Sequence, residues 1–147
     1  MTPSQLISTA VAAMTSGGYS WQYSTSPMDE FNETADAIPR TGAFVHLERP
    51  VSGVIRKVYN RMDEYFNIRL MIGKPSDLAA HQSEREAGMQ QMYGGMYELL
   101  QRLENTTGVE EITDIGHSEV YHALDLEADG LYVTFKLKMT DVAVCPS

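Results

Sequence analysis

The chain has 147 residues, of which 43% are apolar, 21% charged and 9% aromatic, a composition that fits one soluble domain over residues 1–147 and excludes a collagen-like or simply disordered chain. A chain of about 150 residues buries roughly 70% of the surface it exposes when unfolded, so its stability requires neither disulfides nor a structural metal. Twenty acids against eleven bases give a formal charge of −9, which leaves no electrostatic footprint for gripping phosphate backbones.

The single cysteine, Cys145, excludes a disulfide framework and points to a reducing compartment. No stretch approaches the ~18 apolar residues of a membrane span. No Lys or Arg precedes Arg40, so Leu6 to Met14 lacks the charged start of a secretion signal and reads as the first helix of a protein that stays where it is made.

That helix begins at Thr2-Pro3-Ser4-Gln5, where a hydroxyl at the N-cap, proline at the first helical position and glutamine three residues after the cap form a capping box. Leu6, Ile7, Ala10, Val11 and Met14 follow at helical spacing as one apolar stripe, and Gly17-Gly18 is a sufficient stop. Tyr19, Trp21 and Tyr23 then alternate with Ser20, Gln22 and Ser24, which fits a strand or an extended arm. From Thr25 to Thr41, small residues, two prolines and Asp29, Glu30, Glu33 and Asp36 read as a long loop with Met28, Phe31 and Ile38 as apolar anchors. Loops of this length inside compact domains are usually functional or become ordered against a partner.

Ala43 to Glu48 reads as a strand ended by Arg49-Pro50, with Ser52-Gly53 helping the chain turn. Val54 to Ile72 is the longest extended signal. In its second half Phe66, Ile68, Leu70 and Ile72 face away from Tyr65, Asn67 and Arg69, whereas Val54 to Met62 is a hairpin arm or an extension beyond the body of the sheet. A second capping box, Ser83-x-x-Glu86, opens the main helix, with Met89, Met92, Tyr93, Met96, Leu99, Leu100 and Leu103 on one face. Gly94-Gly95 inside it costs about 1 kcal/mol per residue relative to alanine, a penalty explained by close packing onto a sheet. Two strands close the chain, one near His117 to Leu126 and one over Leu131 to Met139, with Asp129-Gly130 in the turn between them. The expected fold is α+β: a mixed or antiparallel sheet packed by a central helix and an N-terminal helix, with a long arm or loop over residues 19–42.

Catalytic, cofactor and metal motifs are not found in the sequence. His46, His81, His117 and His122 lack zinc-site spacing and read as surface or sheet-edge histidines. Cys145 has no nearby histidine to make a thiolate and reads as a small apolar residue that ends the last strand or docks against a neighbour. Asp125, Glu127 and Asp129 lack the glycine and distal glutamate of a calcium loop and read as a solvated acidic edge. The expectation is therefore no catalytic residue, no cofactor and no metal.

The order helix, arm, strand ending in proline, long strand, central helix, two closing strands resembles the tail-terminator and tail-completion proteins of tailed bacteriophages over nearly the whole chain. Local segments share the resemblance: Tyr19-Ser-Trp21 before a polar loop, Phe44-Val-His-Leu-Glu-Arg-Pro50 running into Val51-Ser-Gly53, Tyr65-Phe-Asn-Ile-Arg-Leu70 before Lys74-Pro-Ser-Asp77, and Gly130-Leu-Tyr-Val-Thr-Phe-Lys-Leu137. The resemblance implies a tail-terminator-like sandwich that forms a ring, commonly hexameric, at the head-tail interface of a virion assembled in the bacterial cytoplasm. Such a ring caps the tail tube, meets the head connector or neck proteins, and lets genomic DNA pass without sequence-specific binding; an acidic lumen would repel DNA phosphate. On this reading Trp21, Tyr23, Met28 and Phe31 make subunit contacts; alternatively the arm folds back over its own core. Competing readings are another neck, connector-adaptor or tail-tube component and, from a different class, a small α+β enzyme or ligand-binding module using His46, His117, His122 or Asp125.

Overall fold

The capping box forms as the sequence predicts: the Thr2 hydroxyl accepts the Gln5 N–H at 3.2 Å and the Gln5 side-chain carbonyl accepts the Thr2 N–H at 2.9 Å. It opens helix α1, Pro3–Ala12, which buries Leu6, Ile7, Ala10 and Val11. The computed structural model describes residues 2–27, 30–31, 42–75, 82–123 and 128–139. Met28, Ile38, His81, Asp125, Glu127 and Cys145 lie outside them, as do the side chains of Ser83 and His122.

After a short 3-10 turn, Ser16–Gly18, come strands β1, Ser20–Ser26, β2, Gly42–Glu48, β3, Ser52–Val58, and β4, Arg61–Pro75; then helix α2, Gln82–Glu104, and strands β5, Val109–Ala123, and β6, Ala128–Met139. Among the described residues the fold is thus α+β, with two α-helices and one mixed six-stranded sheet of order β1-β2-β4-β6-β5, β3 also pairing with β4. The pair β1–β2 is parallel; β2–β4, β3–β4, β4–β6 and β5–β6 are antiparallel.

Strand alternation sorts the side chains onto two faces. On one face Ala43, Val45, Leu47, Ile68, Leu70, Ile72, Leu131, Val133, Phe135 and Leu137 meet the apolar stripes of α1 and α2, including Met89, Met92, Met96, Leu99 and Leu103. On the other, Phe31, Phe44, Met71 and Ala128 make a smaller cluster supported by Val120 and Tyr132.

Strands β2 and β3 run in the same direction along one side of β4. Leu47 pairs with Leu70 and Ser52 with Asn67, so residues 48–51 oppose only 68–69. Pro50, which has no N–H to give a ladder, sits in this irregularity. Ser52-Gly53 is therefore already strand rather than turn. The turn of the long extended segment falls instead at Tyr59-Asn60, between the paired Val58 and Arg61, which settles Val54 to Met62 as a hairpin arm.

Four other boundaries differ from the sequence reading. Helix α2 begins at Gln82, so Ser83 lies inside it and is not the N-cap of a capping box. Thr25 and Ser26 continue β1 instead of starting the loop, because β1 gains a parallel partner as far as Glu48. β5 starts at Val109, eight residues before His117; register shifts at Val109/Glu111, Thr113/Gly116 and Val120/Ala123 break the period-two signal that reveals a strand. Asp129-Gly130 lies inside β6, paired with Lys74 and Gly73. A Cβ on Gly130 would stand 2.0 Å from the Ile72 carbonyl oxygen, so here glycine allows two strands to approach and makes no turn.

Candidate functional site

The residues expected to make subunit contacts divide sharply. Trp21 packs onto its own core: its indole N–H donates to the Ser16 carbonyl at 3.0 Å, its ring lies over Gly95 of α2, and Tyr19 meets it edge-on at 6.0 Å. Tyr23 is half-buried against the same core, with its hydroxyl 2.8 Å from the Ser4 hydroxyl. Phe31 is buried on the opposite face, stacked on His46 at 4.0 Å and tilted against Phe44 at 5.1 Å. The first part of the 19–42 segment is thus anchored on its own domain, while the outer edge of β1 has no strand partner among the described residues.

His46 corrects the surface or sheet-edge reading, for it is fully buried in β2. Its Nε2 lies 3.0 Å from the Ser26 carbonyl, which can only accept, so Nε2 carries the proton and Nδ1 accepts from the Ser24 hydroxyl at 2.8 Å. Burial pushes its pKa below the ordinary histidine value, against opposing contributions from the Ser26 carbonyl and Glu48. This is a neutral histidine that ties β1 to β2. His117 lies on the helix-covered face, edge-on to Tyr93 at 5.4 Å, so the sheet separates the two rings.

Asp129 likewise corrects the solvated-edge reading. It is buried, and Arg85 of α2 reaches it with Nη2 at 3.1 Å from Oδ1. Glu98 is equally committed. Burial raises its pKa, but the Ser16 and Thr15 N–H groups and Arg102 outweigh this and hold the carboxyl below its usual range. The open groove of about 490 Å³ between α1 and α2 that Glu98 helps line therefore contains a carboxylate occupied in capping the 3-10 turn. Among the described residues no group of three or more His, Cys, Asp or Glu could hold a metal ion.

What stands unused is the β3–β4 hairpin. Pairing of β4 with β6 ends at Tyr65↔Lys138, so residues 55–58 and 61–64 pair only with each other. At about 3.3 Å per residue these four pairs extend about 13 Å beyond the last β4–β6 pair, with Asp63 at their base buried against Lys138. The projection carries Ile55, Tyr59 and Met62 at 60%, 94% and 52% exposure, alongside Arg56, Lys57 and Glu64. Tyr59 stands at φ 54°, in the left-handed region that a tyrosine rarely adopts.

Charge is segregated around this sheet. Residues 49–62 contain four of the eleven bases and no acid, whereas residues 103–135, which include β5, contain eight of the twenty acids and no Lys or Arg. Where β3, β4, β6 and β5 lie side by side, the face away from the helices has a hollow of about 210 Å³ lined by Arg56, Tyr65, Asn67, Glu111, Asp114 and Lys136, among others. Beside it Lys138 is buried, 3.0 Å from Glu110 and 3.6 Å from Asp63; the Glu110 hydrogen bond leads in raising its pKa, despite burial. The alternation of the strands gave no sign of this group, although the two charge blocks are visible in the sequence to a simple count. The chain matches no protein-family model and no curated protein.

Proposed function

We propose that the chain is a structural subunit of a tailed-phage virion: a tail-terminator or tail-completion protein that forms a ring at the head-tail interface, caps the tail tube and lets DNA pass. The observation that carries this reading is the projecting β3–β4 hairpin with its exposed Ile55, Tyr59 and Met62, on a sheet whose outer edges at β1, β3 and β5 have no strand partner among the described residues. Open edges are a liability that a lone domain usually blunts, and an assembling subunit uses them. The segments that carry the family resemblance lie on β1, the β2–β3 junction, β4 and β6, which form the frame of this sheet.

In this reading the subunit is not catalytic and holds no cofactor. The 19–42 segment contributes subunit contacts through the outer edge of β1, while Trp21, Tyr23 and Phe31 anchor it. Acidic side chains facing a lumen would let DNA slide without adhering. An α+β enzyme or ligand-binding module, the reading from a different class, requires convergent polar groups in a cleft; His46 and His117 lie on opposite faces of the sheet, while Asp125 and the His122 side chain lie outside the described residues.

The test is to image the purified protein by negative stain, alone and with tail tubes. Rings seated on tube ends support the terminator reading. Rings that bind only a connector identify a neck or adaptor component, and polymerisation into tubes identifies a tube component. A monomer that ignores tubes and connectors refutes the virion reading.

A further inference from the structure

We infer that successive copies of this chain join head to tail, the basic outer edge of β3 in one copy pairing with the acidic outer edge of β5 in the next. This rests on the ring reading and specifies which surfaces meet.

Three observations carry it. First, both edges are open among the described residues, and they lie on opposite sides of the same sheet. Second, β3, β4, β6 and β5 each run antiparallel to the neighbour before them, so β3 and β5 run in opposite directions. A second copy placed beside the first therefore brings its β3 antiparallel to the first copy's β5, continuing the ladder with the more stable geometry. Third, the charges match: β3 presents Arg56 and Lys57, both exposed, and β5 presents the exposed Glu111, flanked by Glu110 and Asp114, which are exposed as well but ion-paired to Lys138 and Lys136 of their own chain.

The same charges choose the partner edge. Two β3 edges set together would oppose bases to bases, and two β5 edges acids to acids, and like charges across a strand pair are destabilising. Both of these two-fold arrangements are disfavoured, whereas in the β3–β5 contact each copy uses two different surfaces of opposite charge. Contacts of that kind generate rings when the rotation closes and filaments when it does not. The exposed Val54 and Ile55 on β3 and Ile115 on β5 supply apolar surface along the seam.

The experiment uses the full chain in three forms: wild type, the β3 variant Arg56→Glu/Lys57→Glu, and the β5 variant Glu111→Lys. Each is checked for folding by circular dichroism and for mass by light scattering and negative stain. Wild type should assemble, less tightly as salt rises. Each variant alone should need roughly tenfold or more higher concentration to assemble. An equimolar mixture of the two variants should recover assembly, since the reversed β3 then faces the reversed β5 while the two native edges pair as before.

Folded variants that assemble like wild type, or a mixture that fails to recover, overturn the edge pairing and leave the ring reading standing. Open filaments that respond to the charge reversals support the pairing and overturn the closed ring. Wild type that stays monomeric at every concentration overturns the pairing, and the ring reading is then decided by whether the protein caps tail tubes.

Discussion

The Trp21 ring occupies the space that a side chain at Gly95 would need: a Cβ there would stand 2.5 Å from Cη2 and 2.8 Å from Cζ2 of the indole. Glycine in the middle of α2 thus lets the aromatic side chain of β1 lie directly on the helix. Alanine normally stabilises a helix interior by about 1 kcal/mol over glycine. Here Gly95→Ala should reverse that sign and destabilise by about 1–3 kcal/mol, because the indole must move. At the neighbouring Gly94 the nearest atom is the Ser16 hydroxyl at 3.1 Å, which can rotate away. Gly94→Ala should be neutral or mildly stabilising, and chemical denaturation of the two variants checks the contrast.

Gly130 should tolerate less than any helix glycine. A Cβ there would meet the Ile72 carbonyl oxygen at 2.0 Å and the Gly73 Cα at 2.6 Å, both backbone atoms that no rotamer change can clear. Gly130→Ala should cost about 3 kcal/mol or more by forcing β4 and β6 apart at the centre of the sheet. Thermal unfolding measures the cost.

His46 makes stability depend on pH in a defined direction. Its folded pKa is depressed by burial, so below the ordinary value of 6.5 the unfolded chain binds a proton that the folded chain declines. The stabilisation is complete above pH 6.5 and is lost as pH falls from 6.5 through the folded pKa. The melting temperature should drop between pH 7 and 5, above the range in which Glu98 loses the charge that its three donors favour. His46→Gln keeps a donor for the Ser26 carbonyl, and it should flatten this part of the profile; an unchanged slope would contradict the account.

Tyr59 should show stability and assembly pulling in opposite directions. Its ring is 94% exposed and its backbone is left-handed, which costs a non-glycine residue about 1–2 kcal/mol. Tyr59→Gly should therefore raise the melting temperature while weakening assembly, because the tip loses its largest apolar group. A variant that is both less stable and equally able to assemble would remove the tip from the interface.

The helices and their buried faces were legible because burial on one side leaves a 3.6-residue period, and the capping box at Thr2 marks its own start. The strand near His117 is legible, whereas the start of β5 from Val109 is hidden by register shifts that break alternation at Glu110 and Asp114. Asp129-Gly130 was misread because turn chemistry and close strand approach both call for glycine, and only the position of Ile72 distinguishes them. His46 is buried beside Ser24, set opposite it by the parallel pairing of β1 with β2, and under Phe31, and no local pattern encodes either contact. Sequence spacing marks Trp21 and Phe31 as aromatics that pack against something but does not say whose surface; in the structure both rest on their own domain.

The most direct measurement is the mass of the wild-type protein in solution across concentration, by light scattering, with images of the same samples. Closed rings with a central opening are expected, at about 98 kDa if six copies of the 16.4 kDa chain close. A mass of one chain at every concentration, with no rings in the images and no binding to tail tubes, would contradict the ring reading.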